Sequence, residues 1–298
     1  MASEDNTRQP LRTYRGNCHC KAFVYEVQLP EIKAVKQCNC SICHKKGYLW
    51  VLAQETGHFK IVKGGEDTLS SYTFNTKNRI HKFCPTCASP VMAVAKQAPP
   101  NRTIGINVHT LQNVDTWALQ KERIDWAKVE PMYIVPEHKG AEPSANIEGG
   151  KLYKGGCHCG AVTVAVMSKP LDETFEDGGL ECNCSICERN GYVWMYPLNE
   201  QVVLHAEEPA NIGRYAFSMH MFNKTFCKIC GVNLTNEYNA DQNEEQKARR
   251  PEQAEKWEAW ARRHHPVNLR VLPEVDISKM SRRYGKGYTG IPPLHENP

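Results

Sequence analysis

The apolar positions of this chain fall mostly into short runs that read as strand. Ala22-Phe23-Val24-Tyr25-Glu26-Val27 and Ala161-Val162-Thr163-Val164-Ala165-Val166 are β-branched or aromatic stretches. Tyr48 to Ala53, Phe59 to Val62, Ser70 to Phe74 and Val91 to Ala95 follow in the same style, with Gly, Pro and Asn breaks between them. One stretch departs from the pattern. Gln253 to Arg263 is built of strong helix formers and has Pro251 near its start, so it reads as a short helix over about 251–264. The expectation is an all-β protein of small packed antiparallel sheets with one helical insertion.

The pattern occurs twice. Cys-Asn-Cys-Ser-Ile-Cys stands at 38–43 and again at 182–187, identical over its whole length. Gly47-Tyr48-Leu49-Trp50 answers Gly191-Tyr192-Val193-Trp194, Tyr72 and Phe74 answer Tyr215 and Phe217, and Phe83 answers Phe226. The offset is 143 from Cys84 to Cys227 but 161 from Ile106-Asn107-Val108-His109 to Val267-Asn268-Leu269-Arg270, so the second repeat carries 18 extra residues, the stretch with the helix pattern. The division this predicts is a flexible tail over 1–11, a first domain over 12–135 and a linker over 136–150. A second domain then spans 151–281, and a C-terminal tail without regular structure spans 282–298.

Composition narrows the class. Of 298 residues, 41% are apolar and 23% charged, the balance of a soluble globular protein. No apolar run approaches the ~20 residues of a membrane span, and Met1 to Arg15 lacks the apolar core of a signal peptide. The expected location is the cytoplasm, with the nucleus as the other candidate. Basic residues are spread along the chain and the net charge is only +4, so neither membrane nor nucleic acid is an expected partner. Oligomeric state is not legible.

Cysteine changes the picture most. An intracellular setting argues against a disulfide framework for the 14 cysteines. They sort without remainder into Cys18/Cys20, Cys38/Cys40/Cys43 and Cys84/Cys87, then Cys157/Cys159, Cys182/Cys184/Cys187 and Cys227/Cys230. Thiols this dense select a soft metal, zinc first. A closed zinc site takes four of the seven thiols in each repeat. Joining C-x-C to C-x-x-C gives Cys18, Cys20, Cys84 and Cys87 in one and Cys157, Cys159, Cys227 and Cys230 in the other, although spacing alone permits other pairings. The remaining Cys38, Cys40 and Cys43, and Cys182, Cys184 and Cys187, would hold a second zinc with one exchangeable position. That makes up to four zinc ions per chain, two per domain. The competing reading closes this second site with water or histidine and makes every zinc structural. A small domain with a limited core gains from such staples.

The set Gly-x-Cys-x-Cys-Gly (155–160), Cys-Asn-Cys-Ser-x-Cys (182–187) and Phe-Cys-x-x-Cys-Gly (226–231), echoed at 16–20, 38–43 and 83–87, resembles the glutathione-dependent formaldehyde-activating family. Tyr72-Thr73-Phe74-Asn75-Thr76 with His81-Lys82-Phe83-Cys84 is similar to its centromere protein V branch. The resemblance implies a β-tent fold for each domain. It also implies a structural zinc, a three-cysteine active-site zinc, and carbon–sulfur lyase chemistry on an adduct such as S-hydroxymethylglutathione, with glutathione or a similar small thiol as partner. Lys21 and Ala88 depart from it where the second repeat has Gly160 and Gly231. His44 and Glu188 depart where the family commonly has a basic residue.

A zinc held by three thiolates carries net charge −1 and suits a fourth sulfur, whose thiolate can add to an aldehyde carbon or leave from it. The supporting residues are less sharply defined. His19 and His158, between paired thiols, read as packing or backbone-bonding residues ahead of bases. Lys45, Lys46 and Arg189 read either as carboxylate partners or as solvated charges. Trp50 and Trp194 read as core ahead of pocket wall, and His109 and Arg270 take no role. The leading expectation is a zinc-dependent carbon–sulfur lyase or synthase. The alternatives are a non-catalytic zinc module for chromatin, cytoskeletal or protein binding, and a carbon–sulfur bond enzyme of a specialised metabolite pathway.

Overall fold

The structure is a computed structural model describing residues 9–53, 56–99, 103–128, 131–248, 250, 254–287 and 294–298. The first half runs β1 (Arg12–Asn17), β2 (Val24–Leu29), β3 (Ala34–Cys38), α1 (Ser41–Lys46), β4 (Trp50–Leu52), β5 (Phe59–Lys63), β6 (Ser70–Tyr72), β7 (Arg79–Phe83), β8 (Pro90–Ala95), β9 (Ile104–Asn107) and β10 (Gln120–Ile124). The second runs β11 (Lys151–Gly156), β12 (Thr163–Ser168), β13 (Gly179–Cys182), α2 (Ser185–Asn190), β14 (Trp194–Met195), β15 (Val202–His205), β16 (Ile212–Tyr215), β17 (Phe222–Cys227) and β18 (Asn233–Tyr238). It ends with α3 (Glu244–Ala248), α4 (Ala254–Arg263), β19 (Val267–Asn268) and β20 (Arg282–Gly285).

Each half folds its strands into a three-stranded and a seven-stranded sheet. The small sheets are β1-β2-β5 and β11-β12-β15, and the large ones β10-β3-β4-β9-β8-β7-β6 and β16-β17-β18-β19-β14-β13-β20. Written from the same edge, the two large sheets have one topology. All pairings are antiparallel except β3 with β10 and β13 with β20, which are parallel. The all-β expectation holds, with two similar sheet pairs and few helices.

One feature differs from the sequence expectation, and two more qualify it. Residues 282–298 were expected to lack regular structure, yet β20 lies there and completes the second large sheet as β10 completes the first. Arg-Arg-Tyr-Gly has no apolar alternation to announce it; the backbone ladder to β13 and an Arg282–Glu181 ion pair of 2.8 Å hold it. The third thiol of each triplet lies in the first turn of a helix, with Cys40 and Cys184 at the N-cap positions of α1 and α2. Finally, Lys21 and Ala88 keep the left-handed backbone of Gly160 and Gly231 (φ 65° and 56° against 84° and 67°), so the substitutions leave the turn geometry intact. The inserted helix is α4; residues 251–253 of the stretch read as helical lie outside the described residues, as do 1–8 of the N-terminal tail and 288–293 of the C-terminal one.

The halves interlock around their helices. Cys38, Ile42, Cys43 and Tyr48 are buried in one cluster with Val164, Val232, Leu269 and Val271 of the second half. At the centre of the contact Gly47 meets Gly191. Both are left-handed C-caps, and a Cβ on Gly47 would lie 2.7 Å from the Gly191 carbonyl oxygen. Only residues without a side chain allow this approach. No helix among the described residues is long and apolar enough to cross a membrane.

Candidate metal centres and the cavity between the halves

The β1–β2 turn carries Cys18 and Cys20, and the β7–β8 turn carries Cys84 and Cys87. Strand pairing brings the two turns together, so that Cys20 Sγ lies 3.6 Å from Cys18 Sγ and 3.5 Å from Cys84 Sγ. The second half repeats this with Cys159 at 3.6 Å from both Cys157 and Cys227. All fourteen cysteines are free. Sulfurs arranged tetrahedrally about zinc at ~2.3 Å stand about 3.8 Å apart, so these separations suit an ion and are far too long for a disulfide. The groups whose ligand atoms lie within 4.8 Å of one another are Cys18/Cys20/Cys84/Cys87, Cys157/Cys159/Cys227/Cys230, Cys38/Cys40/Cys43 and Cys182/Cys184/Cys187. Each can hold a metal ion.

In the three-thiol clusters, alternation along extended chain puts Cys38 and Cys40 on one side, and the first turn of α1 brings in Cys43. The Cys40 side chain makes no capping bond to its helix, which leaves its sulfur to the cluster. The Cys40 and Cys184 amides donate to Cys38 and Cys182 Sγ at 3.4 and 3.3 Å. Trp50 and Trp194 donate Nε1–H to Cys43 and Cys187 Sγ at 3.3 and 3.4 Å, so these indoles touch the clusters rather than merely filling the core. The crowded sulfurs pull one another apart in proton affinity: hydrogen bonds from Cys38 and Cys43 push the Cys40 thiol well below the ordinary range, and those from Cys184 and Cys187 do the same to Cys182. Packed thiols sharing protons in this way form a set that a divalent cation satisfies in full.

The residues between the paired thiols reach across the molecule. His19 Nε2 lies 2.9 Å from Ser185 Oγ and its Nδ1 2.8 Å from the Tyr215 hydroxyl. His158 repeats this with Ser41 at 2.9 Å and Tyr72 at 2.8 Å. Each imidazole bonds side chains rather than backbone, and each sits against the three-thiol turn of the other half. Each is also covered by chain that follows the parallel edge strand: Tyr133 stacks on His158 (centroids 4.4 Å) and His295 on His19 (4.3 Å).

Lys45, Lys46 and Arg189 are neither substrate-facing nor solvated; all three are buried between the halves. Lys45 Nζ donates to the Gly156 carbonyl at 2.8 Å, and Arg189 donates to the backbone carbonyl of Asn17 at 3.2 Å. Burial pulls both lysines down to about 8, while Cys157, Cys230 and Cys227 of the opposite four-thiol cluster hold them up. A divalent ion on four thiolates carries net charge −2, which these cations offset in a medium where an unpaired charge is costly. His44 is half-buried, with its pKa lowered to about 4 by burial and then Arg270, whereas burial raises Glu188 to about 7. His109 and Arg270, given no role from sequence, flank the Gly47–Gly191 contact; Arg270 Nε donates to the Gly191 carbonyl at 2.6 Å.

A cavity of about 440 Å³ opens beside the second three-thiol cluster, with Cys184, Ser185, Tyr215 and Lys224 in its wall and His19 and His295 opposite. Sequence reasoning passed over Ser41, Ser185, Tyr72 and Tyr215 as functional residues. The signal was present in their identity between the repeats, masked by the thiols beside them. Lys224 was announced only by mismatch, because it stands where the first repeat has His81.

Together these features define a tandem cysteine-rich β protein with a four-thiol and a three-thiol metal-binding cluster in each half. The family described as glutathione-dependent formaldehyde-activating enzyme matches residues 13–126 and 152–250. The chain belongs to that family. A crystal structure of a Rhodobacter sphaeroides protein is 28% identical over 36% of this chain and 99% of its own, with a TM-score of 0.32.

Proposed function

We propose that the protein is a zinc-dependent carbon–sulfur lyase or synthase acting on a thiol adduct such as S-hydroxymethylglutathione. In this reading residues 12–135, and 151–281 extended by β20, are two zinc domains with two ions each. Cys18, Cys20, Cys84 and Cys87, and Cys157, Cys159, Cys227 and Cys230, close structural sites. Cys38, Cys40 and Cys43, and Cys182, Cys184 and Cys187, form the active ones. One observation carries it: among the described residues no fourth ligand atom joins either three-thiol cluster, and the second lies on a cavity. Zinc held by three thiolates supplies one further position that keeps a small thiol deprotonated at neutral pH.

The chain's own residues supply the rest. In synthesis the substrate sulfur donates a pair to the aldehyde carbon, the C–S bond forms, and the carbonyl π pair moves to oxygen, which takes a proton. In the lyase direction the hydroxyl proton is lost, the carbonyl re-forms and the C–S pair returns to sulfur. Ser185 Oγ and the Tyr215 hydroxyl both face the cavity and are joined through His19, so this hydroxyl–imidazole–hydroxyl chain can deliver or remove that proton. Tyr192 and Trp194, packed 4.4 Å apart behind the cluster, keep water from its inner side.

Exchange NMR of labelled formaldehyde with glutathione tests the reading. The zinc-loaded protein should accelerate exchange above the spontaneous rate, and Cys40→Ser combined with Cys184→Ser should remove the acceleration. A folded, zinc-loaded protein without acceleration would strike formaldehyde and glutathione from the substrates.

A further inference from the structure

The two three-thiol clusters are identical in sequence; their surroundings are not. At the offset of 143 residues, Thr76, Asn78, Arg79 and His81 become Met219, Met221, Phe222 and Lys224. The backbone is matched there, with left-handed residues at Asn75 and Lys77 (φ 54° and 58°) and at Ser218 and His220 (55° and 51°). The same loop therefore presents a polar face in the first half, and an apolar face with one cation in the second.

In the second half those residues wall the cavity beside Cys184. The insertion peculiar to this half supports them from behind. Met221 is buried with Ala254 and Ala261 of α4, and Met219, Phe222 and Trp257 pack on that cluster. Lys224 Nζ lies 5.3 Å from the centroid of Trp194, the ring that donates to Cys187, and no carboxylate among the described residues pairs with it. In the first half His81 is instead buried in an aromatic stack, 5.6 Å from Tyr48 and 5.8 Å from Phe74. A three-thiolate site holding a divalent ion is anionic and repels a carboxylate unless a cation stands nearby. In the second half Lys224 stands in the wall of that cavity, which Lys21 and Glu296 also line, whereas the first-half loop lays its cation, Arg79, over the Trp126 ring at 5.5 Å.

We propose that the second site selects a thiol with an apolar body and a carboxylate, the body lying on Met219 and Phe222 and the carboxylate on Lys224 Nζ, and that the first site has no such preference. This rests on the reading that substrate thiols bind the three-thiol clusters.

The test uses the full chain loaded with cobalt(II), whose near-ultraviolet sulfur-to-metal absorption grows when a further thiolate binds. Cys40→Ser leaves the second three-thiol cluster as the open one, and Cys184→Ser leaves the first. The probes are 4-(mercaptomethyl)benzoate, its neutral amide, and 3-mercaptopropionate, which has the acid without the ring. The second site should bind the benzoate about tenfold more tightly than the amide, as one charge-assisted hydrogen bond allows, and severalfold more tightly than mercaptopropionate. Lys224→Met should abolish the charge preference while leaving the amide unchanged, Lys224→Arg should retain it, and the first site should show none. Equal binding of benzoate and amide, equal binding of benzoate and mercaptopropionate, or a Lys224→Met loss shared by both benzylic thiols would each overturn the proposal. Thiol-dependent bands without charge preference would sink this proposal alone; no such band at either cluster would remove the thiol-binding reading with it.

Discussion

The imidazole of His19 bonds Ser185 through Nε2 at 2.9 Å, so the four-thiol knuckle of the first half is tied directly to the three-thiol turn of the second. His158 and Ser41 form the counterpart at the same distance. Neither three-thiol cluster is therefore the property of one half. Its floor comes from its own repeat, and the residue that orients its serine comes from the other. A tandem chain supplies both within one molecule.

This bond should be measurable as an energetic coupling. His19→Ala leaves the hydroxyls of Ser185 and Tyr215 without their buried partner, which should cost about 1–3 kcal/mol in denaturant unfolding of the metal-loaded protein. In a double-mutant cycle with Ser185→Ala the coupling should be at least about 0.5 kcal/mol. Strictly additive losses would show that the contact joins the halves in geometry but not in energy.

The contact of Gly47 with Gly191 makes a sharper demand. Gly47→Ala places a methyl 2.7 Å from the Gly191 carbonyl oxygen and adds a side chain at φ 62°. Backbone strain of about 1 kcal/mol and overpacking of about 1–3 kcal/mol act together. The expected loss is at least about 2 kcal/mol. Gly149, left-handed at φ 67° with open space around it, is the control: Gly149→Ala should cost only the strain. Equal losses at the two positions would mean that the halves part easily at Gly47.

What the sequence disclosed follows a physical division. The strands near Val24, Phe59, Ser70 and Val91 were legible because their apolar runs obey local preferences, and the thiol groups were legible because few local arrangements use so many. Lys45, Lys46 and Arg189 were misread because burial of a cation depends on what lies across the interface, here the opposite four-thiol cluster, which leaves no local trace. Strand β20 was missed because an edge strand held by its ladder and the Arg282–Glu181 pair needs no apolar pattern. The cross-half bonds of His19 and His158 join positions 166 and 117 residues apart, and a repeat read as two independent domains hides them.

His109 gives the interface a pH dependence. It is half-buried, its Nδ1 is buried without a hydrogen-bond partner among the described residues, and burial, then Arg270 and Lys121, lower its pKa to about 3. The folded protein thus holds the neutral ring. The associated stability is complete above the ordinary pKa of about 6.5 and is lost as pH falls from there toward 3, by at most about 1.4 kcal/mol per unit. Between pH 7 and 5.5 the wild type should lose about 1.4 kcal/mol more than His109→Gln. Parallel stability curves for the two proteins would refute the assignment.

The division of thiols into closed and open sites predicts that two cysteine substitutions in the same half behave differently. Cys227→Ser breaks a four-thiol cluster, three of whose members are buried, that joins the β11–β12 and β17–β18 turns. A structural zinc site contributes about 10–16 kcal/mol of binding free energy, more than the ~5–15 kcal/mol by which domains are stable. The second half of this variant should lose its ion and its cooperative unfolding transition. Cys184→Ser touches a cluster at the cavity wall, where α2 remains anchored by Ile186, Tyr192 and Trp194. It should lower the melting temperature by only a few degrees and reduce bound zinc by no more than one ion per chain, while removing thiol binding at the second site. Metal analysis beside scanning calorimetry separates the two outcomes. Equal melting losses would mean that both clusters staple the fold and that the open-site reading of Cys182, Cys184 and Cys187 is wrong.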